Sequence, residues 1–324
     1  MPGARTVPVR IARTGEDVIF AVDQRRDAFL NVIRSARHRL LISLFRCTDF
    51  AVLDAIAEAA QRGVEVKLLL TPRARGWVNR LKALGAFLES MGAQVRSHAD
   101  PVVKYHAKYM LADDGPALIA SANMTSKCFS ATCDFILVTH DRGVVCGLEA
   151  LFESDWLAPH SSFPATIDQR LIVGPDRARA QLTELLAGAR RSIQIIDHKV
   201  NDPNIVALLK ARQEAGIEVQ ILSSDYLGGL LPHGKLLLID GKKAILGSMA
   251  LAALSMDFRR EVSVRVDDPR CVRKLRDFYK FIASGGEVLD SQYTATFVRT
   301  EEQYRRKKRQ RKEKKLRKQR KQAQ

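Results

Sequence analysis

The chain has 324 residues, 46% of them hydrophobic, enough for one large or two modest domains with real cores. No apolar run reaches the roughly 18 residues of a membrane-spanning helix, and the first twenty residues lack the apolar stretch of a secretory signal. The net charge is +17, and residues 299–324 alone supply +11 of it, with fourteen Lys/Arg against three Glu. Five cysteines, odd in number and without a CxxC pair, point to a reducing compartment. They suggest no disulfide framework and read as small buried hydrophobes. The expected location is cytoplasmic, with peripheral membrane attachment open to a basic tail.

In chain order, the first strong pattern is "ARHRLLISLFRCTDFAVLDAIAEAAQRGVEVKLLLT", residues 36–71. It reads as a helix end, a strand, a polar turn, an amphipathic helix, a glycine and a second strand. The same order returns without a gap in "ARRSIQIIDHKVNDPNIVALLKARQEAGIEVQILSS", residues 189–224, at an offset of 153. Gly63 and Gly216 stand where a helix C-cap is expected. Each copy is a β-α-β unit, which implies parallel strands with a right-handed crossover.

After the first unit comes "PRARGWVNRLKALGAFLESMGAQVRSHADP", an insertion with its own helix and a short strand at "AQVRSH". Each half then carries a hairpin: "VVKYHAKYMLADDGPALIASAN" in the first and "HGKLLLIDGKKAILGSMA" in the second, with an Asp-Gly turn signal in both. A third strand ("DFILVTH", "EVSVRVD") and a closing helix ("VVCGLEALFESDW", "CVRKLRDFYKFIA") follow. The Pro- and Ser-containing stretch "APHSSFPATID" separates the copies. The expected organisation is α/β, with two pseudo-symmetric halves at 1–160 and 161–298 in one bilobal unit. A basic tail at 299–324 has almost nothing to bury and is expected to be disordered.

The hairpins carry the chemistry. His106 and Lys108 are two apart and so share a strand face, as do Ser121 and Asn123. The second half offers His233, Lys235 and Ser248, with Ala250 in the asparagine place. His to Ser is 15 residues in both copies, His to Asp (Asp113, Asp240) is 7, and His to the trailing acid (Asp134, Glu261) is 28. One HxK pair is a weak signal; two copies in register over 28 residues are strong, because a buried Lys–His pair calls for a functional reason.

These residues, "HAKYMLAD…SAN" and "HGKLLLID…GS", resemble the HxKxxxxD signature of the phospholipase D superfamily with its GSxN-like element, over roughly residues 25–285. The resemblance includes cardiolipin synthase-like and nuclease-like members. It implies a bilobal fold with one active site at the pseudo-twofold interface, a histidine from each half facing one phosphodiester, and no metal or other cofactor. Asp134 and Glu261 fit the same pattern. Ala120 and Ala250 depart from it, standing where glycine and asparagine are usual.

Displacement at a phosphodiester needs a nucleophile, an acid and cations around the developing charge. A neutral imidazole can attack phosphorus and a protonated one can serve the leaving oxygen. His106 is assigned as nucleophile and His233 as acid, because the fuller Ser/Asn set lies in the first half. Lys108 and Lys235 would clamp the non-bridging oxygens, with Asn123, Ser121 and Ser248 as further donors. Asp134 and Glu261 can each hold an imidazole Nδ1–H. Asp113 and Asp240 begin turns and read as structural. Arg46 and Lys199, just past the first strand of each repeat, are secondary substrate-binding candidates. His38, His98, His140, His160 and His198 have no repeated partner set and read as ordinary core or surface histidines.

Three functions compete. The first is a phosphodiesterase acting on phospholipid by hydrolysis or phosphatidyl transfer, its tail on an anionic membrane surface. The second is a metal-independent nuclease, with "PRARGWVNR" and the tail on DNA or RNA and Trp77 stacking a base. The third is a non-catalytic polyanion-binding protein on a decayed scaffold, as Ala250 suggests. The lipid reading is preferred, and a monomer suffices because one chain holds both half-sites.

Overall fold

The structure, a computed structural model, describes residues 15–72, 78–98, 100–157, 163–164, 167–223 and 227–288. The basic tail, Trp77 and most of the stretch between the two copies lie outside the described residues.

The first half runs β1 (Glu16–Ile19), α1 (Val22–Ser35), β2 (Arg39–Leu44), α2 (Phe50–Gln61), β3 (Glu65–Leu70), α3 (Val78–Ser90), β4 (Gln94–Ser97), β5 (Lys104–Tyr105), β6 (Tyr109–Ala112), β7 (Ala117–Ala120), α4 (Ser126–Ser130), β8 (Thr132–Cys133), β9 (Ile136–Thr139) and α5 (Arg142–Leu157). The second runs β10 (Leu171–Gly174), α6 (Ala178–Ala187), β11 (Ser192–Ile196), α7 (Pro203–Glu214), β12 (Glu218–Leu222), β13 (Leu231–Pro232), β14 (Leu236–Ile239), β15 (Lys243–Gly247), α8 (Ala253–Asp257), β16 (Arg259–Val266) and α9 (Pro269–Ala283).

Each copy builds one mixed sheet, in the order β1-β9-β7-β6-β2-β3-β4 and β10-β16-β15-β14-β11-β12. The expected β-α-β units form: β2 pairs parallel with β3, and β11 with β12. Their helices start alike. Asp49 accepts a hydrogen bond from the Val52 N–H at the head of α2, and Asp202 accepts one from Ile205 at the head of α7. Arg26 and Arg179 pair with these caps. Gly63 and Gly216 end the helices at φ of 84° and 83°, a conformation that costs glycine little.

Among the described residues, three large cores organise the chain. Sheet one packs one face on Phe29, Ile33 and Ile56, and sheet two packs one face on Leu182, Leu186 and Ile205. The remaining faces share a single core, in which Tyr109, Leu111 and Leu137 of the first sheet join Leu236, Val262 and Val264 of the second, with Phe152 of α5 and Phe278 of α9. Burial of this apolar surface makes the two sheets one body.

Two short exchanges cross that boundary. Strand β5, just before His106, pairs in parallel with the start of β16, matching Lys104 with Arg259 and Tyr105 with Arg260. Strand β13, just before His233, pairs in parallel with β8, matching Leu231 with Thr132 and Pro232 with Cys133. The His106 amide continues the first ladder onto the Arg260 carbonyl at 2.9 Å, and the Gly234 amide continues the second onto Cys133 at 2.6 Å. At Gly234 a Cβ would stand 2.4 Å from the Cys133 carbonyl oxygen, so the close approach requires glycine.

Candidate active site

The crossed ladders set the site. Once Tyr105 lies beside Arg260, His106 meets Glu261: Nδ1 is 3.0 Å from Oε2. Once Pro232 lies beside Cys133, His233 meets Asp134: Nδ1 is 2.8 Å from Oδ1. Each imidazole is therefore oriented by a carboxylate from the opposite half. Both carboxylates are fully buried, while the histidine side chains keep 18% and 29% of their surface, which leaves an open edge for a substrate.

Burial pushes the His106 imidazole down to about 3 against the pull of Glu261, and Lys108 and Lys235 push it the same way. Burial also lowers His233, again against its acid. Burial opposes ionisation of Glu261, but His106, Lys108 and Ser255 outweigh it and draw the carboxyl to about 2. At Asp134, His233, Arg25 and Ser121 outweigh burial likewise and hold the carboxyl below its ordinary range. A neutral imidazole beside an ionised acid donates Nδ1–H and leaves the Nε2 lone pair available.

The acids are themselves held. Ser121 donates to Asp134 at 2.6 Å and Thr132 donates to its other oxygen. Arg25, fully buried, binds the carbonyls of Phe20, Cys128 and Thr132 and places a positive charge near Asp134. On the other side Ser255 donates to Glu261 at 2.6 Å, and Arg259 pairs with the same oxygen at 3.5 Å.

The serines depart from the sequence expectation. Ser121 spends its proton on Asp134, and Ser248 donates to the Val262 carbonyl while accepting from the Val262 amide, so both brace the backbone and acid instead of facing a phosphate. Asn123 lies in the site, where its amide Nδ2 is 3.5 Å from Nε2 of His233, in the other half. The fuller Ser/Asn set thus does not favour His106 as the sequence reasoning assumed.

Lys108 is buried, with Nζ 2.9 Å from the His106 carbonyl and 3.2 Å from its Nδ1, and burial lowers it to about 7 despite Glu261. Lys235 donates to the His233 carbonyl in the same way. Phe45 packs edge-on against the His106 ring, with centroids 4.3 Å apart, and the Arg46 guanidinium lies over the Phe45 face. Lys199 lies within electrostatic reach of Lys235 and Glu261, so both secondary candidates border the site.

His198, which the sequence reads as an ordinary histidine, lies within electrostatic reach of the site. It lies near His233 and Lys235, and burial with those charges and Lys199 lowers it to about 4. The offset of 153 aligns it with Phe45, the ring against His106, which is the signal that could have found it. Cys128 was read as a buried hydrophobe, yet ligand atoms of Cys128, Asp134 and His233 all lie within 4.8 Å of one another.

Asp113 and Asp240 face away from this chemistry. Asp113 accepts from the backbone amides of Arg37, His38 and Arg39, and Asp240 from those of Arg190, Arg191 and Ser192. Both have left-handed backbones, with φ of 49° and 54°. They tie the hairpin turn to the start of the neighbouring strand, seven residues and roughly 20 Å of extended chain from the histidine. A cleft of about 890 Å³, lined by Arg177, Arg190, Lys242, Lys243 and Arg265, lies at that same turn end of the second sheet and includes neither histidine.

Residues 29–156 match the model of the family described as "Cardiolipin synthase, PLD-like domain". Over these residues, about two fifths of the chain, it is similar to phospholipase D-like domains. Among curated proteins, Cardiolipin synthase A of Pseudomonas putida is 34% identical over 130 residues, 40% of this chain and 27% of that protein. Cardiolipin synthase 2 of Staphylococcus epidermidis is 30% identical over 156 residues, 46% of this chain and 30% of that protein. The matches thus span under a third of those relatives' length. Two solved structures share the fold over 82% of this chain: polyphosphate kinase from Porphyromonas gingivalis (TM-score 0.69, 19% identity, 46% of that chain) and phosphatidylserine synthase of Haemophilus influenzae (TM-score 0.64, 12% identity, 86% of that chain). The likeness of fold therefore extends over both halves. Among the described residues no helix is long and apolar enough to cross a membrane.

Proposed function

We propose that the chain is a phospholipase D-type phosphodiesterase that acts on a phospholipid headgroup through a phosphohistidine, with 1–160 and 161–298 as the two halves of one catalytic unit. The observation that carries the reading is the pair of imidazoles, each oriented by a buried carboxylate from the opposite half. The choice of phospholipid rests on the likeness of residues 29–156 to cardiolipin synthases.

His106 Nε2 attacks phosphorus, and the bond to the leaving alcohol breaks. His233 enters the step protonated, because the anionic phosphodiester stabilises the imidazolium, and gives the Nε2 proton to the leaving oxygen. Lys108 and Lys235 face the non-bridging oxygens, and Glu261 stabilises the positive charge on phosphorylated His106. His233 then takes a proton from water or an alcohol, whose oxygen displaces His106 and gives hydrolysis or transfer. The imidazole is its own nucleophile, so no ion is needed to activate water. A single chain is sufficient, and the tail would hold the enzyme on anionic lipid.

The test is a side-by-side assay on anionic phospholipid vesicles, DNA and RNA, with and without EDTA. Lipid turnover that survives EDTA and disappears in His106→Ala supports the reading. Turnover of nucleic acid alone makes the protein a nuclease, turnover of neither makes it a binding protein, and loss in EDTA restored by a divalent ion overturns the mechanism.

A further inference from the structure

One difference between the two half-sites is an atom type beside the buried acid. The offset of 127 that relates His106 to His233 also relates Cys128 to Ser255 and Asp134 to Glu261. Ser255 donates a hydrogen bond to Glu261 at 2.6 Å. On the other side a sulfur stands in that place, and Asp134 takes its hydrogen bonds from Ser121 and Thr132 instead. A thiol is a weak donor, so Cys128 adds little as a brace for the acid.

As a ligand set the arrangement is different. Cys128, Asp134 and His233 offer one sulfur, one oxygen and one nitrogen, mutually within 4.8 Å. A tetrahedral ion with bonds of about 2.0–2.3 Å holds its ligands roughly 3.3–3.8 Å apart, which small side-chain rotations reach from here. The cysteine and the aspartate are buried, while the histidine is partly open, which leaves a path for entry and a fourth position for water.

We propose that Cys128, Asp134 and His233 bind a thiophilic divalent cation such as Zn²⁺, and that the bound ion switches the site off. The switching rests on the reading of His233 as the proton-carrying residue. On Nε2 the ion occupies the proton position. On Nδ1 it replaces the Asp134 hydrogen bond that sets the tautomer. The neighbouring cations Lys108 and Arg46 lie within electrostatic reach of the sulfur and resist an incoming charge. A thiophilic ion expels the Cys128 proton as it binds, so the site gains one unit of charge and not two. A hard ion such as Mg²⁺ or Ca²⁺ gains nothing from sulfur and is refused. The Ser255 side has no thiolate and stays metal-free.

The test titrates the chelator-treated full chain with Co²⁺ and follows the thiolate-to-cobalt charge-transfer absorption. The band should saturate at one equivalent, disappear in Cys128→Ser and His233→Ala, and persist in Cys146→Ser, which removes the exposed thiol. Serine already occupies the equivalent place in the other half, so Cys128→Ser is compatible with the fold. Zn²⁺ should displace Co²⁺ and suppress turnover over the same concentration range, each protein compared with its own rate in chelator; excess Mg²⁺ should do neither. No band in the full chain, or a band that survives Cys128→Ser, overturns the site. Stoichiometric Zn²⁺ with full turnover overturns the switch. The band is read without turnover, so failure of the proposed reaction leaves the binding result standing.

Discussion

His106 and Glu261 are 155 residues apart in sequence, yet their Nδ1 and Oε2 atoms lie 3.0 Å apart across the boundary between the two sheets. His233 and Asp134 repeat the arrangement in the other direction at 2.8 Å. Each carboxylate therefore orients the imidazole of the opposite half. Glu261→Gln and Asp134→Asn should each lower kcat by about 10²–10⁴-fold on a natural phosphodiester, since the amide no longer fixes the reactive tautomer. With a nitrophenyl ester, whose leaving group needs no proton, the burst of phosphoenzyme formation should be rescued in Asp134→Asn but not in Glu261→Gln, while release of the phosphoryl group stays slow in Asp134→Asn. Rescue of Glu261→Gln alone would exchange the roles of the two histidines.

The depressed Lys108 predicts a pH effect. Its folded-state value of about 7 means that the ammonium loses its proton as pH rises through neutrality, largely because it is buried. The profile of kcat/KM should fall on the alkaline side with a midpoint near 7. Lys108→Arg keeps its charge throughout and should move that limb upward by at least a unit, even if its maximum rate is lower. An unchanged limb in Lys108→Arg would assign it to another group.

On the acid side the neutral His106 nucleophile should persist well below the usual imidazole range, because burial holds it to about 3. Chemistry read by trapping a phosphoenzyme at pH 5 should therefore retain most of its pH 7 burst amplitude. A burst that titrates away near 6.5 would contradict the burial argument.

Asp113 and Asp240 predict loss of stability without loss of chemistry. Each accepts three backbone amides from the start of a neighbouring strand. Asp113→Ala should cost about 1.5–3 kcal/mol in denaturant unfolding, as the hydrogen bonds are to a charged acceptor. Asn tolerates the left-handed backbone and should recover part of this. Burial opposes ionisation of Asp113, but the amides outweigh it and lower the folded pKa. Its contribution is therefore complete above the unfolded value of about 3.9 and is lost as pH falls below it. Variants that remain folded should keep their kcat.

Removal of residues 299–324 takes away +11 of charge and no motif residue. Turnover of a small soluble phosphodiester should be unchanged, while binding to anionic vesicles should weaken, most at low salt. Equal vesicle binding by the truncated chain would exclude a docking role for the tail.

The sequence by itself determined the repeat, the β-α-β units, the hairpins and the matched His, Lys, Ser and acid positions. These depend on local rules: the two-residue period of a strand, the Asp-Gly turn and the helix-ending glycines. It left the pairing of acid with imidazole undecided, because a 28-residue spacing identical in both halves allows a pair within one half as well as a crossed one. Only the parallel registers of 104–105 with 259–260, and of 231–232 with 132–133, decide it. The same contacts explain the other surprises. Ser121 is consumed by Asp134, Asn123 reaches His233, and His198 and Cys128 come to border the site. Periodicity encodes which face of an element a residue occupies; which distant segment meets that face is fixed only when the two sheets bury their shared core.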